Sequence, residues 1–270
     1  MTAACRIVFC TYPSAYSDLV LNELLAAQAI ELVGVVSSTR ILNKTDSKFR
    51  ASIRQIQFSG LRYAAYLFAV TDLYRLLRWV FRKPSFTQQL IAKNIPCLAT
   101  DDINSVESVA FLKDLQPDFF LSAHFNQLLK SEVLAIPKLA CLNIHPSLLP
   151  VFKGVDPAFY ALLRQARETG ATVHLQDEQF DHGAILEQSN LSIRPQDTLF
   201  SLNLKLFKLG AMSAVKQIRE LTADTQGSAQ TTVGRYDSWP NPADTKQFHQ
   251  QRRYFRWREY LAFIRYTHTR

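Results

Sequence analysis

An asparagine and a histidine stand two residues apart in "CLNIHPSLLPVFKG", Cys141 to Gly154. Alternate residues of an extended strand share a face, so Asn143 and His145 point the same way and Ile144 points the other. Together they offer an amide that donates hydrogen bonds and an imidazole that exchanges protons near neutrality. Pro146 and Pro150 have no N–H to give to a ladder, so regular pairing stops just beyond the pair. Asn143 and His145 therefore sit where the carboxyl end of a strand opens into a loop. Downstream, "DEQFDHG" puts Asp177, Glu178 and Asp181 in a loop between "ATVHLQ" and "AILEQSNLSI", which read as strands. Such a loop can hold a carboxylate against the imidazole.

The elements that must position these groups follow a regular alternation. "RIVFCTY" and "IELVGVVSS" read as buried strands, and "SDLVLNELLAAQ" between them has helical spacing at Leu19, Leu21, Leu24 and Leu25. "IPCLATDDI", "DFFLSAHF" and "LACLNIH" continue the strands, with helical "SVESVAFLKDL" (Ser105 as N-cap) and "SEVLAIP" connecting them. The alternation predicts an α/β fold with a doubly wound, mostly parallel, Rossmann-like sheet. Ligands of such sheets lie at the carboxyl ends of strands, where Asn143 and His145 fall. The first strand runs into "TYPSAYSD" rather than G-x-G-x-x-G, which argues against a dinucleotide held in the Rossmann manner, and no G-x-x-x-x-G-K-[ST] occurs.

With 270 residues, 47% hydrophobic and 20% charged, the chain has enough apolar material for a sizeable core. Cys5, Cys10, Cys97 and Cys141 show no C-x-x-C spacing and fall mainly in strand-like runs, so they read as small core residues of a reduced, cytoplasmic protein, with no metal site indicated. The opening "MTAACRIVFCTYPS" reads as an immediate first strand rather than a secretory leader. The net charge of +8 is concentrated. Residues 40–83 hold ten Lys/Arg against Asp46 and Asp72 (+8), residues 246–270 hold seven against Glu259 (+6), and the remainder carries −6. Charge alone would therefore assign a nucleic-acid surface to the wrong part of the chain.

"NIHPSLLP", the Gly154 that follows, "TVH", and Asp181 placed 38 positions after Asn143 resemble the folate-dependent formyltransferases. That family includes glycinamide ribonucleotide, methionyl-tRNA and sugar N-formyltransferases. The resemblance spans roughly Pro117 to Leu221. It implies that Asn143, His145 and Asp181 form the catalytic group and that 10-formyltetrahydrofolate is the co-substrate. It also places the pterin against "HFNQLL" and the acidic loop, with Phe125, Gln127, Leu128 and Leu129 on one side and Asp177, Glu178 and Phe180 on the other. Backbone groups would do much of that reading. Phe125-Asn126 replaces the Tyr-Gly or Gly-Phe more usual in the family. In the implied chemistry an amine attacks a formyl carbon, Asn143 donates to the oxyanion, His145 accepts or relays the amine proton, and Asp181 orients His145 and holds a water. His174 is either a satisfied strand residue or a group that supports the others, and His182 reads as loop surface at the acceptor entrance.

The expected layout is a formyltransferase catalytic domain over 1–222, with a basic helical insert at 39–85, then a linker and basic aromatic extension over 223–270. The insert carries "GLRYAAYLFAVTDLYRLLRWVFRK", a helical pattern broken by Asp72, Arg75 and Arg78. Its uncharged runs fall short of the ~18 residues of a membrane span. Three roles stay open for it: packing on its own domain, meeting a second copy in a homodimer, or lying at an anionic membrane surface through 61–83, with Tyr63, Tyr66, Phe68, Trp79 and Phe81 engaged. The tail does not look like the barrel-type C-terminal domain of methionyl-tRNA formyltransferases, so initiator tRNA and other nucleic acids are not the expected partners. The expected acceptor is a primary amine on a small or carrier-linked molecule, an amino sugar first. The rival readings are a formyltetrahydrofolate hydrolase and a non-catalytic, membrane-docked binding module.

Overall fold

The computed structural model describes residues 4–41, 48–222, 225–231 and 234–266. Residues 42–47 of the insert and His268 lie outside them. The chain opens with β1 (Cys5–Thr11), α1 (Ala15–Ala26) and β2 (Ile30–Ser38), as the sequence pattern requires. Ser14 starts α1 by accepting from the backbone N–H of Tyr16 and Ser17. The insert follows as α2 (Lys48–Phe68), a π turn (Ala69–Leu73) and α3 (Tyr74–Val80), leading to α4 (Phe86–Ala92) and β3 (Cys97–Thr100). Next come α5 (Val106–Asp114), β4 (Phe119–Ala123), α6 (Ser131–Leu134) and β5 (Ala140–His145). Ser105 caps α5 through a bond from Ser108 N–H. The remainder comprises β6 (Lys153–Gly154), α7 (Pro157–Leu163), β7 (Glu168–Leu175), β8 (Ile185–Ser192), α8 (Leu199–Glu220), β9 (Tyr236–Asp237), α9 (Pro242–Gln251) and α10 (Trp257–Tyr266).

The main sheet has seven strands in the order β3-β2-β1-β4-β5-β7-β8. The first five run parallel, and β7 and β8 add antiparallel strands at the other side. The order winds outward from β1 in both directions, so loops after β1, β4 and β5 meet at one end of the sheet. Two apolar layers cover it, one around Ile7, Phe9, Phe119, Leu142, Phe200 and Phe207, the other around Val8, Cys10, Phe120 and Leu129.

Some expectations are corrected. Cys10 and Cys141 are buried, but Cys97 is exposed, because its strand lies at the sheet's edge. The insert is helical over α2, the π turn and α3, with one kink. Gly60 leaves the helical region at φ 78°, a conformation glycine adopts without a side-chain clash, and α2 kinks there. Tyr63 and Tyr66 do not face solvent: they lie in the core with Tyr74, while Phe68 and Trp79 remain exposed. Within the extension expected over 223–270, β9 pairs with β6 and α10 packs near α3, where Phe263 meets Tyr74 at 6.0 Å between ring centroids. No described helix is long and apolar enough to cross a membrane.

Candidate active site

Sheet register explains how the Asn143 side chain is aimed. Ser122 on β4 and His174 on β7 are its partners on either side. The Ser122 hydroxyl donates to Asn143 Oδ1 at 2.8 Å, and Asn143 Nδ2 lies 3.0 Å from His174 Nε2. His174 Nδ1 is 2.7 Å from the Leu175 carbonyl, which can only accept, so Nδ1 carries the proton and Nε2 is the bare acceptor. The ring must be neutral for this. Burial, followed by the neighbouring charge of His145, pushes its pKa down to about 4. Asn143 thus spends its oxygen and one amide hydrogen on orientation and keeps one N–H for a ligand.

His145 ends β5 and is 3% exposed. Its Nδ1 lies 3.2 Å from Asp181 Oδ1 and its Nε2 lies 2.9 Å from the Phe152 carbonyl. Both neighbours are acceptors, so the ring satisfies both only as an imidazolium. Burial works against that charge, but Asp181, its hydrogen bond and the Phe152 carbonyl outweigh it and raise the pKa above its ordinary value. For Asp181, burial favours the neutral acid. The His145 charge and hydrogen bond, with His174 and the Gly154 N–H, reverse this and hold the carboxylate below its usual range. Gly154 N donates to Asp181 Oδ2 at 3.0 Å. Asp181 itself takes the left-handed region, φ 54°, which aspartate tolerates better than most residues. In this arrangement the ring donates at both nitrogens, so neither is a free acceptor while His145 is charged.

The two loops assigned to the pterin are brought together, because Ser131 N donates to Glu178 Oε1 at 2.8 Å. Gln127 is buried and its amide is consumed by Ile103 N, the Ser38 hydroxyl and the Thr100 carbonyl. Leu129 is 1% exposed and packs in the core. These two side chains are turned inward and shape the loop, and the structure does not put either of them on an open surface. Phe125 and Leu128 are half-buried and Phe180 is exposed, so they retain apolar surface, and Gln176 Oε1 at the base of the acidic loop is a buried acceptor without a partner. Apolar faces beside an unsatisfied polar atom fit a flat heteroaromatic ring such as a pterin. Asp177 instead meets His182 Nδ1 at 2.7 Å on the exposed side.

A cavity of about 70 Å³ opens beside Pro146, lined among others by Tyr16, Tyr63, Tyr66, Asp156 and Trp239. Asp156 accepts from the Tyr63 hydroxyl at 2.8 Å and caps α7 through Phe159 N. No basic side chain pairs with it among the described residues, and burial pushes its pKa up to about 6. A larger, open groove of about 500 Å³ near Lys113 and Glu132 contains no triad residue, so size alone would misplace the site.

Ser122, the Phe152 carbonyl and the Tyr63–Asp156 contact were not found by reading the sequence. His174 was marked by its place in "TVH", but its role depends on strand register. His124, with no nameable partner in the sequence, lies 3.1 Å from the Ser14 hydroxyl and 3.2 Å from the Tyr12 carbonyl.

Fold and site define a doubly wound α/β protein with an Asn, His and Asp group at the carboxyl ends of its strands. The family model described as formyl transferase matches residues 41–218, about two-thirds of the chain, and the chain belongs to that family. Its members are folate-dependent formyl transferases. The methionyl-tRNA formyltransferase of Thermotoga neapolitana is 33% identical over 129 residues, covering 48% of this chain and 41% of that protein. The chain spans about four-tenths of the length of such curated relatives. In fold it is similar to an N-formyltransferase from Helicobacter canadensis solved with folinic acid and dTDP-3-aminofucose, at a TM-score of 0.59, 19% identity, and coverage of 95% of this chain and 82% of that one. It is similar also to phosphoribosylglycinamide formyltransferase from Bacillus halodurans, at a TM-score of 0.55, 20% identity and coverage of 82% and 97%.

Proposed function

We propose that this chain transfers a formyl group from 10-formyltetrahydrofolate to a primary amine on a small or carrier-linked acceptor, an amino sugar first. The observation that carries the reading is Asn143, locked between Ser122 and His174 with one N–H left, on the same strand as His145, which meets Asp181 from the loop after β7. The bound folate supplies an activated formyl carbon, whose bond to a folate nitrogen breaks as a new C–N bond forms to the acceptor. Asn143 donates its remaining N–H to the oxygen that gains negative charge, a contact worth roughly 10²–10³ in rate. The His145 cation, fixed by Asp181 and Phe152, adds positive potential on the same sheet edge. The amine proton passes to the His145–Asp181 pair, which titrates as a unit, and a proton is returned to the departing folate nitrogen, so the transfer releases no net proton. The loops carrying Phe125, Leu128, Glu178 and Phe180 hold the pterin. The cavity favours an amino sugar because Asp156 is a buried acceptor for an N–H or O–H of the acceptor, and tyrosine and Trp239 faces suit a sugar ring.

The test is tetrahydrofolate release from 10-formyltetrahydrofolate with a panel of amines: dTDP-amino sugars, glycinamide ribonucleotide and methionyl-tRNA. Release is expected to require an amine and to fall by most of its rate in His145→Ala. Equal release without any amine would mean a hydrolase. No release, together with no folate-induced rise in melting temperature, would leave a non-catalytic module.

A further inference from the structure

Of the nineteen large apolar residues left exposed among the described residues, nine lie between Phe49 and Val80, a concentration that needs an explanation. The first half of α2 touches the body of the protein along the narrow stripe Ala51, Gln55 and Ser59, while Phe49, Ile53 and Ile56 form a second stripe facing solvent. Beyond the Gly60 kink the inward side is Tyr63, Tyr66, Tyr74 and Arg78, and the outward side carries Leu61, Phe68, Leu76 and Trp79. Trp79 is 76% exposed. The helices are therefore anchored by one face and present a second apolar face to the outside.

The net charge around that face is positive: its acid between Phe68 and Trp79, Asp72, is exposed and paired with Arg75 at 2.9 Å. Arg78 is discounted, because it is buried against Asp18 at 3.2 Å, but Arg62 and Arg82 are exposed beside the apolar stripe. The fold also brings the two basic segments of the sequence together: Arg265 on α10 stands 5.0 Å from the Phe81 ring centroid, and Arg258 and Trp257 of the same helix are exposed. A second copy seated on this face would set two strongly basic surfaces against each other. A nucleic acid would use the arginines but would have no use for Leu61, Phe68 and Trp79. Apolar side chains rimmed by cations, with an indole outermost, match the headgroup region of an anionic bilayer.

From this arrangement we infer that the exposed face of α2 and α3, with α10 beside it, docks the protein on an anionic lipid surface, inserting Phe68 and Trp79 between headgroups. The inference is independent of which amine the active site accepts. The full chain, sedimented with vesicles of phosphatidylcholine containing one-third phosphatidylglycerol, should bind at about 0.01 M salt and be released near 1 M, where the screening length has fallen from ~30 Å to ~3 Å. It should ignore pure phosphatidylcholine vesicles. Phe68→Ser combined with Trp79→Ser should weaken binding ~tenfold or more, since insertion supplies the apolar part of the affinity. Both residues are exposed, so the melting temperature and formyl transfer to a soluble amine should not change. Arg62→Gln with Arg82→Gln should weaken it as well. Three outcomes overturn the inference: no sedimentation with the anionic vesicles at low salt, full binding by the Phe68/Trp79 variant, or a dimer that those two substitutions dissociate.

Discussion

Asp181→Asn tests the charge state assigned to the active site. The substitution keeps one side-chain oxygen, which can accept from either His145 Nδ1 or Gly154 N because native Asp181 uses a different oxygen for each, and it removes the negative charge that makes His145 a cation. In the native protein the folded pKa of His145 lies above its ordinary 6.5, so its contribution is complete below 6.5 and is lost as pH rises through the folded value. Asp181 is shifted the other way, below 3.8, so its contribution is complete above 3.8 and is lost as pH falls through the folded value. The pair stabilises most between these ordinary values. In the variant, burial acts on His145 without the Asp181 charge to oppose it, and the ring's pKa drops. Acidification through the His145 range then costs stability instead of adding it. The two side chains are only 4% and 11% exposed, so solvent screening removes little of the effect.

A hydrogen bond to a charged group is worth about 1.5–3 kcal/mol, and about 2 kcal/mol is the expected loss near the acidic end of the range. For a domain of this size that is a melting-temperature difference of about 4–8 °C. Thermal or urea unfolding of both proteins from about pH 5 to pH 8 measures it, and the difference between them should shrink as pH rises. Other titrating groups, Asp18 and Asp156 among them, are present in both proteins and cancel in the difference to the extent that they do not couple to this pair. A stability difference that is flat with pH, or that grows toward pH 8, would refute the imidazolium–carboxylate assignment.

Two further substitutions probe the supports of the site. His174→Leu and Ser122→Ala each free the Asn143 amide and should lower kcat roughly 10–100-fold while folate still raises the melting temperature by its native amount. His174→Gln, whose amide oxygen can accept from Asn143, should recover part of the loss, and an unchanged kcat in the leucine variant would sink the orienting role. Gly154→Ala places a Cβ 1.9 Å from the Asp237 carbonyl at a residue with φ 118°, so urea unfolding should show a loss of at least about 2 kcal/mol, and a neutral result would contradict the close β6–β9 approach.

Much of the frame was legible because each strand is a short run of β-branched and aromatic residues between turn signals. "IELVGVVSS" is β2 from end to end, and Ser105 caps α5. Asn143, His145 and Asp181 could be picked out because their residue types and spacing match a known family, and the structure puts His145 against Asp181. What could not be read depends on which surfaces meet. Tyr63 and Phe68 occupy one helical pattern, and only the packing partner decides that the first reaches Asp156 and the second faces solvent. Gly60 sits in a helical pattern that gives no sign of a kink, because glycine lowers helix propensity without dictating where a helix breaks. The partner of His145 Nε2 is a backbone carbonyl, and a carbonyl has no residue type to recognise.

The insert and the tail looked like appendages, yet they wall the site. Phe152, which accepts from His145, lies next to Lys153 and Gly154, and those two residues pair with Tyr236 and Asp237 of the tail. Asp237 is buried and is held in turn by Arg164, at the end of α7, at 2.5 Å. The start of α7 is capped by Asp156, whose other oxygen takes the Tyr63 hydroxyl from the insert. The loop whose Phe152 carbonyl meets His145 is thus fixed on one side by a segment 83 residues downstream (Gly154 to Asp237) and on the other by one 93 residues upstream (Asp156 to Tyr63). A short loop with two prolines supplies few hydrogen bonds of its own, so its geometry has to come from these neighbours. Asn143, His145 and Asp181 therefore do not by themselves define the arrangement around His145, and changes in the insert or tail can reach it without touching any of the three.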